Sequence, residues 1–376
     1  MRLSFAGFAA TAITFGPARS GYGLFLPLFR EEFGLSTVLL GLIASGLYLG
    51  YLLSLSAVGL LASRVGPLPL ITAGLVSAAL GMALVAAAPN ATVLAAGVIL
   101  AGSSAGWTWA PYNDAAKQLV TPQRQGRVLS VVSTGTTVGI FAAGLSALFV
   151  GADWRVAWLL FAGAALAALV PNVLALRGLP NPSDAAEATE TIIRWRWLAR
   201  AEAAPLFVVA ASFGVVSAFY FSFAVDLVVA AGTSRTLGGP VLYALIGVAG
   251  LSGLFTGDAV ARFGARRVLL ATLACLSGAA FSLAFAPSSW LAIGVSASLY
   301  GVGVMVMSAL LSIWSSAVFA ARPSVGFSAT LFVFGLGLTL GPAALSALVE
   351  PLGLEAVFLV SGVIAMLTAF AKPKVG

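Results

Sequence analysis

Histidine is absent from this chain of 376 residues, and cysteine occurs once, as Cys275. Without imidazole the usual proton shuttle and the commonest metal ligand are both missing. A single thiol excludes an internal disulfide framework and a cysteine-based metal centre within one chain. Charge is scarce too. Asp, Glu, Lys and Arg make up 8% of the residues, where a soluble domain spends roughly a quarter on them to face water. Glutamate is missing from the middle of every apolar run, and no glycine-rich loop suited to phosphate is present. Together these absences argue against an enzyme, against a bound metal and against a resident cofactor.

What fills the chain is apolar: 60% of residues are hydrophobic and the mean hydropathy is +1.06. A helix that crosses a bilayer needs about 20 such residues. Apolar runs bounded by turns or charges fall at 5–29, 37–62, 68–88, 91–118, 127–150, 156–176, 204–229, 239–260, 267–287, 290–319, 325–349 and 355–371. The expected fold is therefore an all-α membrane protein with twelve transmembrane helices. The first run is much longer than a signal-peptide core of 7–15 residues, so it is expected to stay as helix 1.

The net charge of +7 does not point to nucleic acid, because the basic residues sit in the short gaps between apolar runs. With the N-terminus inside, fifteen Lys and Arg fall on the inner side and only Arg30, Arg155 and Arg235 on the outer. The positive-inside rule then puts both termini in the cytoplasm of an inner or plasma membrane protein.

The polar stretch 177–203 opens with Leu179-Pro180-Asn181-Pro182. It continues into Ile192, Ile193, Trp195, Trp197 and Leu198 among Arg194, Arg196 and Arg200. That mixture suits a cytoplasmic linker containing a short helix at the lipid headgroups. It separates an N-terminal bundle (1–176) from a C-terminal one (204–376). The two are related: at an offset of 198, Thr14-Phe15-Gly16 and Tyr22 fall on Ser212-Phe213-Gly214 and Tyr220, and Gly59, Arg64 and Gly66 fall on Gly257, Arg262 and Gly264. Each half has an even number of expected helices, so the repeat is parallel, giving two pseudo-symmetric six-helix bundles.

At this point the sequence resembles the major facilitator superfamily. That family's signature G-x-x-x-D-[RK]-x-G-[RK]-[RK] is similar to Gly59-Leu-Leu-Ala-Ser63-Arg64-Val-Gly66 and to Gly257-Asp258-Ala-Val-Ala261-Arg262-Phe-Gly264-Ala265-Arg266-Arg267. The acid of the signature is Ser63 in one copy and Ala261 in the other, so the charge lock it implies lacks its aspartate. Pro122-Gln-Arg124-Gln-Gly126-Arg127 and Asp153-Trp154-Arg155 resemble further turns of the family. The first helix, from Gly16 through Arg19 and Tyr22 to Leu26-Pro27, looks like that of its YbfB/YjiJ-type branch. The resemblance implies a secondary transporter working by alternating access, with helices 1, 4, 7 and 10 lining a cavity.

Arg19 is the most informative residue. A bare cation inside a spanning helix costs at least about 2.5–3.5 kcal/mol on insertion scales, so Arg19 should face a cavity or a partner. Phe15, Arg19, Tyr22 and Leu26 share one face of helix 1. Two readings stay open: recognition of a carboxylate through paired hydrogen bonds, or an arginine held by backbone carbonyls near Pro17 or by a buried acid. Trp107 on helix 4 and Tyr220 on helix 7 complete the candidate substrate-binding set with Arg19 and Tyr22.

Candidate gating or coupling residues are Asp114, Lys117, Arg64, Arg262, Asp226 and Asp258. Asp114 and Lys117, one turn apart, are expected to form an ion pair at the inner mouth or, alternatively, to hold a gate. Glu31 and Glu32 read as loop residues. Proton coupling would need a carboxylate with a raised pKa, and Asp114, Asp226 and Asp258 are the candidates inside spans. Small hydroxyl and glycine residues in helices 5 and 11 read first as close-packing surfaces.

The leading function is secondary transport of a small solute, with an organic anion the candidate cargo, by a monomer surrounded by membrane lipids. Drug or amphipathic-compound efflux and a non-transporting scaffold or sensor are the alternatives.

Overall fold

Proline opens the helices of this protein repeatedly, at Pro17, Pro67, Pro111, Pro122 and Pro323. Its missing N–H is one that a first helical turn leaves unpaired anyway. The structure, a computed structural model, describes residues 2–151, 153–179 and 200–371. The helices run α1 Arg2–Phe15, α2 Pro17–Phe33, α3 Thr37–Val65, α4 Pro67–Ala86, α5 Ala91–Thr108, α6 Pro111–Leu119, α7 Pro122–Val150 and α8 Trp154–Leu176. After the interval come α9 Ala204–Ala230, α10 Gly238–Gly250, α11 Thr256–Phe263, α12 Ala265–Phe285, α13 Trp290–Val318, α14 Pro323–Ser346, α15 Val349–Leu352 and α16 Leu354–Leu367. The interfacial helix expected near 192–198 lies outside the described residues.

Ten helical stretches among the described residues are long and apolar enough to cross a membrane. Two of the twelve expected spans are not among them. The first is interrupted at Gly16, which divides it into α1 and α2. The last, Leu354–Phe370, is shorter than the others. Expected span 4 is one apolar stretch, Ala91–Leu119, divided between α5 and α6 at Trp109-Ala110, and expected span 8 runs Gly238–Phe263 through a 3₁₀ turn. Glu31 and Glu32 fall in the last turn of α2 and not in a loop. Large apolar side chains point outward along the helices, with Phe149 83% and Leu291 78% exposed. Water would penalise such a surface, whereas hydrocarbon does not.

The chain divides into two compact units. The first comprises residues 2–36, 46–179 and 235–244, the second 37–45, 200–234 and 245–371, of those described. In the first, α1 pairs with α7, and α4 with both α5 and α8. In the second, α9 pairs with α14, and α12 with both α13 and α16. These pairings occupy equivalent places in the repeat.

Glycine explains the tightest of them. A Cβ on Gly139 of α7 would lie 2.0 Å from the Ala12 carbonyl oxygen of α1, and one on Gly16 would lie 2.6 Å from the Gly139 carbonyl carbon. At an offset of 198 the same approach recurs: a Cβ on Gly337 of α14 would lie 2.2 Å from the Ala211 carbonyl oxygen of α9, and Gly214 abuts the same stretch of α14. The left-handed turns repeat as well, with Gly34 (φ 61°) matched by Gly232 (φ 95°) and Gly66 (φ 75°) by Gly264 (φ 82°). The offset thus relates joints and helix crossings as well as residue types.

Several polar groups inside the first unit find partners on other helices. Tyr112 donates to the side-chain oxygen of Asn172, whose amide donates to the Ala6 carbonyl (3.0 Å) and the Ala168 carbonyl (2.9 Å). Near the start of α8, Arg155 pairs with Glu32 and donates to the carbonyls of Ala86 (2.8 Å) and Ala88 (3.0 Å), while the Trp154 indole donates to Glu32 (2.7 Å). Three elements are tied there by one arginine. In the same unit Tyr243 donates to the Ser20 carbonyl (2.9 Å), and Arg235 pairs with Glu31.

Candidate functional site

The interruption of helix 1 sets the position of its cation. Gly16 takes φ −74°, ψ −110°, outside helical values, and α2 restarts at Pro17. Thr14, just before the break, shares a 3.0 Å hydrogen bond with Thr108 at the end of α5. Arg19 is the third residue of α2, in its first turn, and is half-buried.

Three aromatic rings surround its guanidinium. The carbon of that group lies 4.7 Å from the Tyr51 ring centre, 5.4 Å from that of Tyr48 and 5.4 Å from that of Phe15. Each such contact stabilises a cation by about 0.5–2 kcal/mol, more as water is removed. Among the described residues no carboxylate lies within ion-pair distance of Arg19, and no oxygen accepts from its five N–H groups. The reading in which backbone carbonyls or a buried acid hold Arg19 is therefore not what the described residues form. The Tyr51 hydroxyl also makes no hydrogen bond among them. The result is a half-buried cation packed by rings, whose donors no described residue accepts, all within the first unit.

Tyr48 and Tyr51 were not among the residues singled out from sequence. They lie three apart on α3 in an otherwise aliphatic and glycine-rich run, which is the one local signal that marked them. Nothing in the sequence says that this face of α3 meets Arg19.

The other candidates are placed as follows. Tyr22, 1% exposed, stacks on Phe29 with centroids 6.0 Å apart. Trp107 is half-buried on α5, its Cβ against Gly74 of α4. In the second unit Tyr220 is also 1% exposed. Its ring stacks on Tyr300 at 3.8 Å, and its hydroxyl shares a 2.7 Å hydrogen bond with Ser296. Asp226 is buried in α9, one turn after Ser222.

Asp114 is half-buried and Lys117 exposed on α6, and neither makes an ion pair among the described residues. The expected Asp114–Lys117 pair is therefore not formed. Arg64 and Arg262 are exposed at the C-terminal ends of α3 and α11, where the helix dipole favours a cation. Asp258 is exposed in the first turn of α11, where the dipole favours an anion. Among the described residues no group of His, Cys, Asp and Glu has the makings of a metal site.

The second half does not repeat the cation. At the offset of 198, Phe15 becomes Phe213, but Arg19 becomes Ser217, Tyr48 becomes Ile246 and Tyr51 becomes Ala249. Ser217 is buried with no partner for its hydroxyl. The scaffold is duplicated and the charge is not.

A family model described as the Major Facilitator Superfamily matches residues 6–326. The chain belongs to the Major Facilitator Superfamily. Solved structures of similar fold include the nucleoside transporter NupG, with 12% identity, a TM-score of 0.75 and coverage of 99% of this chain and 98% of that one. A D-xylose-proton symporter gives 13% identity and 0.77, covering 98% and 96%. A bacterial homolog of the human lysosomal transporter Spinster, inward-facing and unoccupied, gives 16% and 0.77, covering 98% and 95%. No curated protein was found to match the sequence. At such identities the likeness carries the fold alone. Family and fold together make this superfamily member a multi-pass membrane protein of transmembrane transport, and they point to a transporter and away from an enzyme.

Proposed function

We propose that this chain is a secondary transporter that moves a small organic anion by alternating access, with Arg19 as the group that grips it. The observation that carries the reading is the Arg19 guanidinium, held among Phe15, Tyr48 and Tyr51 with no carboxylate partner among the described residues. A carboxylate satisfies two in-plane N–H groups at once and neutralises the charge. Tyr22 and Trp107 in the first unit and Tyr220 in the second are assigned to substrate binding, and Asp114, Lys117, Arg64, Arg262, Asp226 and Asp258 to gating or coupling.

In this reading twelve helices form two pseudo-symmetric six-helix bundles, 1–176 and 204–376, joined by the linker 177–203. The monomer sits in the inner membrane with both termini in the cytoplasm. The resemblance of the Gly16-to-Pro27 stretch to the YbfB/YjiJ-type branch supports placing it there. The divided first helix and the 198-residue recurrence of joints and crossings support the bundle assignment.

The test is uptake by proteoliposomes of a panel of labelled organic acids, with and without a pH gradient. Saturable uptake of an acid is the expected result, and acceleration by an inward proton gradient would identify proton coupling. No uptake of any acid, together with drug hypersensitivity on deletion, would replace this reading with amphipathic-compound efflux.

A further inference from the structure

The charge count around Arg19 narrows the anion. We propose that the Arg19 site selects a monocarboxylate with an apolar body over dicarboxylates and phosphates. This inference rests on the reading of Arg19 as an anion-binding group and adds a rule for which anions fit.

Among the described residues, Arg19 is the one cation packed on Phe15, Tyr48 and Tyr51. Its ring neighbours carry no charge, and its repeat-related positions are Phe213, Ser217, Ile246 and Ala249. A monocarboxylate cancels that charge and leaves nothing over. A dicarboxylate or a phosphate dianion would bring a second negative charge that none of these three rings can neutralise, and burying an unpaired charge is costly.

Geometry agrees with charge. Three rings occupy the space around the guanidinium, while its in-plane N–H groups and the Tyr51 hydroxyl have no acceptor among the described residues. Carboxylate and phosphate both meet arginine by planar two-point contact, so it is charge that separates them here. The proposal assigns the Tyr51 hydroxyl, which has no acceptor among the described residues, as a further donor to the carboxylate. Phe15 and the tyrosine rings leave an aromatic wall for the rest of the ligand, which favours a hydrocarbon or aromatic body over a polyhydroxylated one.

The purified full chain in detergent provides the test, read as ligand-induced thermal stabilisation and calorimetric affinity. The probes are benzoate, hexanoate, succinate, inorganic phosphate and benzyl alcohol. Benzoate and hexanoate should bind saturably, with succinate and phosphate at least about tenfold weaker and benzyl alcohol not measurable. Tyr51→Phe, which keeps the ring, should weaken benzoate about fivefold through loss of one hydrogen bond. Arg19→Gln should weaken it by tenfold or more, on the order expected for charged hydrogen bonds.

Equal or tighter binding of succinate or phosphate overturns the proposal, as does failure of both monocarboxylates to bind. Neither result depends on a variant folding. The two readings fail separately. Benzoate that binds but never crosses a proteoliposome membrane counts against transport and leaves the selection rule standing. Succinate that binds as tightly and is transported does the reverse.

Discussion

A guanidinium presents five N–H donors in one plane and two weakly hydrated faces, so rings can pack around it without consuming its hydrogen bonds. Arg19 uses that property, and its role should depend on shape as well as charge. Arg19→Lys keeps the charge but replaces the planar fork with a compact ammonium. It is expected to raise the KM for a transported acid about tenfold, measured as initial uptake rates against concentration. A similar KM in the lysine variant would show that charge alone suffices.

Asp114 is the second residue whose role can be read out singly. It has no ion partner among the described residues, so it is available to the gate in a way a paired acid is not. Asp114→Asn should lower uptake several-fold at normal membrane levels, and unchanged uptake would make it a solvated surface acid. Sequence singled out Arg19 because a lone cation in an apolar run is conspicuous. It did not single out Tyr48 or Tyr51, because the approach of α3 to α2 is a tertiary event with no local trace. The expected Asp114–Lys117 pair shows the opposite error: spacing of one turn permits a contact and does not enforce it.

Among elements, the crossing of α1 and α7 is the closest backbone approach described above, and the space there is fixed by glycine. Gly139→Ala would place a methyl group 2.0 Å from the Ala12 carbonyl oxygen, and the helices must part to admit it. The expected loss is about 1–3 kcal/mol, seen as a lower Tm of the purified protein. Gly163→Ala is the matched control, since a Cβ there meets nothing within 4 Å; it should leave Tm unchanged or raise it slightly. Equal losses in both variants would mean that helix propensity, and not the crossing, governs the effect.

The close-packing role of these small residues was readable from the sequence, as was the order of apolar runs. The ends of the elements were less so. Gly16-Pro17, a pair of residues that breaks or bends a helix, interrupts this one, because the chain leaves helical geometry at Gly16 itself. Glu31 and Glu32 continue α2 because Gly34, in the left-handed conformation, is what stops it.

For the molecule as a whole, duplication supplies the frame and divergence supplies the chemistry. Joints and helix crossings recur at the 198-residue offset, whereas Arg19 and its two tyrosines have no counterpart. The proposed orientation is testable through the single native cysteine. In a Cys275→Ala background, Asn90→Cys should label from outside intact cells with a membrane-impermeant maleimide. Gln123→Cys should label only after permeabilisation, and the reverse pattern would invert the topology.

The most direct measurement is saturable uptake of the organic-acid panel into proteoliposomes holding equal amounts of wild-type protein and Arg19→Gln. Transport through a grip on Arg19 predicts uptake of at least one acid by the wild type and its near-complete loss in the variant, with folding verified by an unchanged elution profile. Undiminished saturable uptake in Arg19→Gln would contradict it.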